Sequence, residues 1–241
     1  WRFPALLSIA VSIGLLGIKG FAYSLTGSQS ILSDAMESIV NVVAAVIGYI
    51  VMGIASKPAD QDHPYGHGKI EFFSAAFEGG LLTFAALMII FEATTAWIRG
   101  IELLRLDLGV ALVVAAGLVN AGLGLYLKGV GRRIGSIALT TNGTHLLSDF
   151  WTSAGIGVGL LLVRLTGYLW LDPALAISMA LYLGWTGLSV LWKSASGLMD
   201  AEDLEIIREL SHDFAQAVFP GIIRIHATRV IRSGRYHHVD A

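Results

Sequence analysis

The chain has 241 residues, 55% of them hydrophobic and only 14% charged, and its mean hydropathy is +0.69. A soluble domain of that length needs far more polar surface, so composition excludes an ordinary water-soluble fold. A net charge of −2, from 16 basic and 18 acidic residues, gives no electrostatic case for nucleic acid, and the absence of cysteine removes disulfides and thiolate metal sites.

A helix needs roughly 20 mainly apolar residues to cross the hydrocarbon core of a bilayer. Residues 4–25, 31–54, 70–98, 106–128, 137–165 and 171–192 meet that test, with a polar loop at 55–69 between the second and third. Arg2, Lys57, Lys69, Lys128, Arg132, Arg133 and Lys193 flank the spans on one side, and Arg99, Arg105 and Arg164 on the other. That asymmetry predicts that both ends of the array face the cytoplasm.

After Lys193 the character changes. Residues 201–218 carry charges interleaved with Leu204, Ile207, Leu210, Phe214 and Val218, the spacing of an amphipathic helix that Pro220-Gly221 then breaks. Residues 222–231 and 236–241 read as two strands joined around Ser233-Gly234. The predicted fold is therefore an all-α polytopic membrane protein with six transmembrane helices, over residues 1–194. A truncated small α+β cytoplasmic domain begins at 195–241. The chain opens at Trp1 without an initiator Met and stops within a strand, so it is expected to be a piece of a longer protein.

Ionisable groups at bilayer depth are costly, and each is a functional-site hypothesis by default. The second span holds Asp34, Glu37 and Asn41, and the fifth holds His145 and Asp149. Glu37 and Asn41 are four residues apart, as are His145 and Asp149, which puts each pair on one helix face. Two such helices facing each other bring four ligands to one ion, as helical bundles often do. The plainer alternative is hydrogen bonding across a packing interface. Asp34, one turn before Glu37, either lines the outer entrance or helps to place the site's charge. Glu78 and Glu92 in the third span are assigned no transport role. The loop residues Asp60, His63 and His67 have a spacing that suits a small zinc-type site, and equally suits a solvated loop punctuated by turns.

These stretches resemble the cation diffusion facilitator family of metal/proton antiporters over nearly the whole chain. The run from Ser30 to Asn41 is similar to that family's second helix, His63-Pro64-Tyr65-Gly66-His67-Gly68-Lys69 to its loop motif, and His145 to Asp149 to the HxxxD of its fifth helix. The tail resembles the cytoplasmic domain through which those proteins dimerise. The resemblance implies a transport site at Glu37, Asn41, His145 and Asp149, an accessory site at Asp60, His63 and His67, and a cytoplasmic site that includes His226. It also implies a Lys69–Asp200 pair joining membrane and cytoplasmic parts, and a homodimer; the compact loops fit a prokaryotic inner membrane, with both termini cytoplasmic by the charge asymmetry above. His237 and His238 map onto no family ligand. The second-helix pair departs from the family's usual Asp or His, which leaves the choice of metal open.

The function implied is export of Zn2+ or a similar divalent ion in exchange for protons, with Mn2+, Fe2+ or Co2+ as the alternative cargo. No resident cofactor and no enzymatic activity are expected. A membrane channel, an intramembrane zinc enzyme and a metal-sensing receptor are the competing classes. Against the first, the polar groups sit at one depth on two helices; against the second, four convergent ligands leave no open position for water.

Overall fold

A computed structural model of the chain describes residues 2–100, 103–134, 137–201, 206–208, 210, 212–213, 229–233 and 236–240. Six long helices run in order: α1 (Arg2–Thr26), α2 (Gln29–Ala55), α3 (Ile70–Arg99), α4 (Leu106–Ile134), α5 (Ile137–Thr166) and α6 (Leu171–Leu198). All six are long and apolar enough to cross a membrane. They outrun the apolar windows mostly at their polar ends. Helix α4 continues past residue 128 through Arg132 and Arg133, whose charges complement the carbonyl end of the helix and lie exposed. Hydropathy marks where lipid ends, not where backbone hydrogen bonding ends. Glycines with positive φ close three helices: Gly27 (φ 67°), Gly100 (φ 100°) and Gly167 (φ 73°), whose amides reach back to Tyr23, Ala96 and Val163.

Beyond α6, residues 206–208, 210 and 212–213 are helical, and β1 (Arg229–Ser233) pairs antiparallel with β2 (Tyr236–Asp240). The pairing sets Ser233 opposite Tyr236 and Arg229 opposite Asp240. The first strand thus reaches Ser233, two residues beyond the expected end; the expected residues 222–228 lie outside the described ones.

The chain divides into two compact units, Trp1–Val46 with Leu81–Gly187, and Ile47–Gly80 with Leu188–Ala241. The first is apolar outside and polar within. Phe84, Phe91, Trp151 and Trp185 are exposed, whereas Lys19, Asp34, Asp149 and Asp172 are buried. Lipid reverses the usual logic, because apolar side chains gain nothing by hiding from it while polar ones must be satisfied internally. Helix α4 packs along α5 and against α1. The α4–α5 contact is backbone on backbone: a Cβ on Gly143 would lie 2.6 Å from the Lys128 nitrogen and 2.7 Å from the Gly124 oxygen. Small residues at that crossing let the helices approach closely.

The α1–α2 turn is tied to the start of α6 by one buried carboxylate. Asp172 accepts hydrogen bonds from Ser28 Oγ (2.7 Å), the Gln29 amide (2.7 Å) and the Ser30 amide (3.1 Å), and its carbonyl accepts one from Ser30 Oγ at 2.9 Å. A carboxylate from α6 therefore caps α2, satisfying amides that no intrahelical carbonyl reaches. In the second unit, Gly197 of α6 packs against the Phe72 ring of α3.

Two consequences are measurable. Asp172→Ala leaves three buried donors unpaired and is expected to cost on the order of 3 kcal/mol, read as a clear fall in Tm of the detergent-purified protein. Gly143→Ala forces α4 and α5 apart against backbone atoms, and a loss of roughly 1–3 kcal/mol is expected by the same assay.

Candidate metal centre

The two sequence-predicted pairs lie on α2 and α5, and both fall in the first unit. Asn41 Nδ2 donates to Asp149 Oδ2 at 2.9 Å, and His145 Nε2 lies 3.1 Å from Asn41 Oδ1. His145 Nε2 is 3.8 Å from Asp149 Oδ1. Asn41 is the hinge of this cluster, its amide nitrogen turned to the carboxylate and its amide oxygen to the imidazole. That assignment follows from the network: a carboxylate accepts only, so it takes the NH2, and the ring nitrogen then donates to the oxygen. Asp149 is buried, and its Oδ1 has no hydrogen-bond partner among the described residues. A buried carboxylate oxygen without a donor favours an added cation or proton at that point.

Glu37 is half-buried on the same helix as Asn41, and its charge interacts with those of Asp149, Asp34 and Lys19. It does not close the tight cluster. Among the described residues, only Asp60, His63 and His67 offer three His, Asp or Glu ligand atoms all within 4.8 Å of one another. His145 is the exposed member, with 44% of its side chain accessible. It opens into a cleft of about 350 Å³ whose other lining residues, Thr140, Thr144 and Ser148, are all hydroxylic. These polar side chains of α5 share one helix face with the imidazole.

A second layer lies one turn away and was missed in the sequence. Lys19 of α1 is 1% exposed, and its Nζ reaches Asp34 Oδ1 at 2.8 Å and Ser38 Oγ at 2.9 Å. Ser153 of α5 donates to Asp34 at 3.1 Å. Asp34 therefore sits in an ion pair within the bundle rather than at an entrance. The signal was available: Lys19 lies eight residues before Gly27 and Asp34 seven after it, so two antiparallel helices joined there bring the charges to one depth.

In the second unit the loop folds around Asp60. Its Oδ1 accepts from the His63 amide at 2.7 Å and lies 3.1 Å from His63 Nδ1, while its Oδ2 lies 3.5 Å from His67 Nε2. The two imidazole centroids are 4.3 Å apart, and Gly66, at φ 76°, makes the turn between them. The His63 backbone N–H holds the Asp60 carboxyl below the usual carboxylate range, with weaker help from the two imidazoles. Lys69 Nζ lies 2.7 Å and 2.9 Å from the two oxygens of Asp200, so the expected pair is made. Glu78 and Glu92 are half-buried on α3. His226 lies outside the described residues. His237 and His238 stand on β2 opposite Arg232 and Ile231.

Residues 5–199 match the family model described as the cation efflux transmembrane domain. The chain belongs to the cation efflux family. An uncharacterized transporter of Synechocystis sp. is 40% identical over 196 residues, which are 81% of this chain and 63% of the relative. The magnetosome protein MamM of Paramagnetospirillum magneticum is 31% identical over 223 residues, 90% of this chain and 68% of that one. The cation-efflux pump FieF of Shewanella oneidensis is 27% identical over 234 residues, 95% of this chain and 76% of that one. This cation efflux chain thus spans under two thirds of its Synechocystis relative. With six apolar helices of spanning length, this family member is an integral membrane protein.

The loop geometry carries a pH prediction. A depressed carboxyl contributes its order above the unfolded value and loses it only as pH falls through the folded one. Asp60 therefore stays ionised as pH drops from about 7 to about 5. In full-length protein carrying Asp149→Ala and His226→Ala, so that the loop alone reads out, Asp60→Asn is expected to weaken Zn2+ binding by about tenfold or more in calorimetry.

Proposed function

We propose that this protein exports divalent metal cations from the cytoplasm in exchange for protons, with Glu37, Asn41, His145 and Asp149 as the transport ligands and Zn2+ as the cargo. The observation that carries the reading is the meeting of Asn41, His145 and Asp149 across α2 and α5, with Glu37 one turn away on α2. Two carboxylates, one amide oxygen and a neutral imidazole match a divalent ion in charge, which matters where the effective dielectric is low. Emptying the site strands two carboxylates in the bilayer unless protons take the ion's place. Metal and protons compete for the same atoms, since ligands must be deprotonated to bind. His145 is the proton carrier suited to neutral pH, being exposed to the hydroxyl-lined cleft on the α5 end assigned to the cytoplasm. Alternating access of such a site to the two sides gives antiport.

One imidazole among three oxygens is a harder donor set than two imidazoles, and this favours a second reading in which Mn2+, Fe2+ or Co2+ is carried. We assign residues 1–194 to the membrane domain and 195–241 to the start of a cytoplasmic α+β domain through which a homodimer forms, in a prokaryotic inner membrane with both termini inside. His226 is assigned to a metal site in that domain, and Asp60, His63 and His67 to an accessory one. No bond in the cargo is made or broken, and relatives carry the names of transporters and efflux pumps, so the protein is read as a carrier and not an enzyme.

The test is uptake into proteoliposomes of full-length protein across Zn2+, Mn2+, Fe2+ and Co2+, with an imposed pH gradient. Asp149→Ala is expected to lower the initial rate at least tenfold, and dissipating the gradient with an ionophore to slow the unmutated protein. Uptake untouched by Asp149→Ala overturns the reading.

A further inference from the structure

We infer that Lys19 and Asp34 form a built-in counter-charge pair that sets the affinity of the neighbouring metal site and its turnover. The inference rests on the transport reading above.

Lys19 is the only buried lysine among the described residues of the first unit, and it comes from a helix that supplies no proposed ligand. Its Nζ is held by Asp34 (2.8 Å) and Ser38 (2.9 Å). Ser38 Oγ in turn donates to the Asp34 carbonyl at 2.9 Å, and Ser153 donates to the Asp34 carboxylate from α5. Each partner is close in sequence to a proposed ligand. Ser38 follows Glu37 directly, Asp34 is three residues before it, and Ser153 is one turn beyond Asp149. The charges of Lys19 and Asp34 both reach Glu37 and Asp149. Of the charged groups of this cluster, Lys19 and Asp34 cancel, and Glu37 and Asp149 remain to meet a divalent ion; Asp172 lies apart, bound to the start of α2. Removing either member of the pair leaves the count unbalanced by one, in opposite senses.

A pair that only glued helices together makes a different prediction, because losing either member then loosens α1, α2 and α5 and weakens binding in both cases. The counter-charge role separates the two by sign. At about one to two helical turns and an effective dielectric of about 20 to 40, one unit charge changes the affinity for a divalent ion by roughly tenfold or more.

The experiment uses full-length, detergent-purified protein carrying Asp60→Ala and His226→Ala to silence the loop and the cytoplasmic site, titrated with Zn2+ by calorimetry and with Co2+ by its absorption spectrum. Lys19→Met is expected to tighten metal binding about tenfold, and in proteoliposomes to lower KM and the maximal rate together, because release slows. Asp34→Asn is expected to weaken binding by a similar factor. The double variant, which removes one charge of each sign, returns to within about threefold of the parent, and Lys19→Arg keeps the parent affinity. Should Lys19→Met fail to fold, Asp34→Asn and the double variant decide: weakening without recovery in the double overturns the inference. Affinity lowered by both single changes, or moved by neither, also overturns it. Asp149→Ala in the same titration separates the readings. If it leaves Zn2+ binding intact, the transport site is wrongly placed; if it abolishes binding while the pair shows no opposed shifts, only the counter-charge role falls.

Discussion

A charge that has left water must be answered inside the protein, and that requirement organises this bundle. Lys19, Asp34 and Asp149 sit within helices long enough to cross a bilayer, each almost wholly buried. An isolated ionised group there is costly enough to be neutralised or expelled. Here each has partners from other helices: α1 gives the ammonium, α2 its carboxylate and the Asn41 amide, α5 a hydroxyl, an imidazole and a second carboxylate. The polar contacts set which helices must touch and at what height. Apolar packing then fills in around them, as where Ala22, Ile31, Val113, Ile156 and Leu160 form one buried cluster.

Positions that carry no ligand hold this arrangement in place. The glycine crossing at Gly124 and Gly143 fixes α5 two residues before His145, at backbone contact with α4. At the other end of the bundle, Asp172 binds the first amides of α2 and so fixes where that helix starts, a few residues before Asp34. A shift of α2 by one residue would rotate its polar face by about 100°. The cap and the crossing therefore act as register marks for a site to which neither contributes an atom.

Much of this was legible in the chain. Six apolar runs of bilayer length gave six helices, and two i,i+4 polar pairs gave the helices that meet, because both signals are local and periodic. The ends of α4 and α6 were less legible, since hydropathy falls where lipid stops while the helix runs on through Arg133 and Gly197. Lys19 escaped because a lone lysine in an apolar run has no periodic partner; its meaning lies in Asp34, across a turn. Asp172 escaped for a similar reason, as an acidic residue in a first turn is an ordinary helix signal and nothing local shows that the amides it serves belong to another helix. Loop residues Asp60, His63 and His67 were visible by spacing, but only the Gly66 turn brings the two rings together.

The antiparallel contact of α2 with α5 gives the cluster a vertical order. Asp34 meets Ser153, and two turns along α2 Asn41 meets Asp149 and His145, which lie one and two turns back along α5. Glu37 stands between these levels. Its charge interacts with that of Asp149 on one side and with those of the Lys19–Asp34 pair on the other. Its separation from the tight Asn41–His145–Asp149 contact is thus consistent with its position on the helix: a carboxylate between two polar layers can move toward either by a side-chain rotation. A longer glutamate at this height has the reach for such a movement, which an aspartate does not. The extra methylene of Glu37 thus adds reach, while the Asn41 amide stays hydrogen-bonded to Asp149.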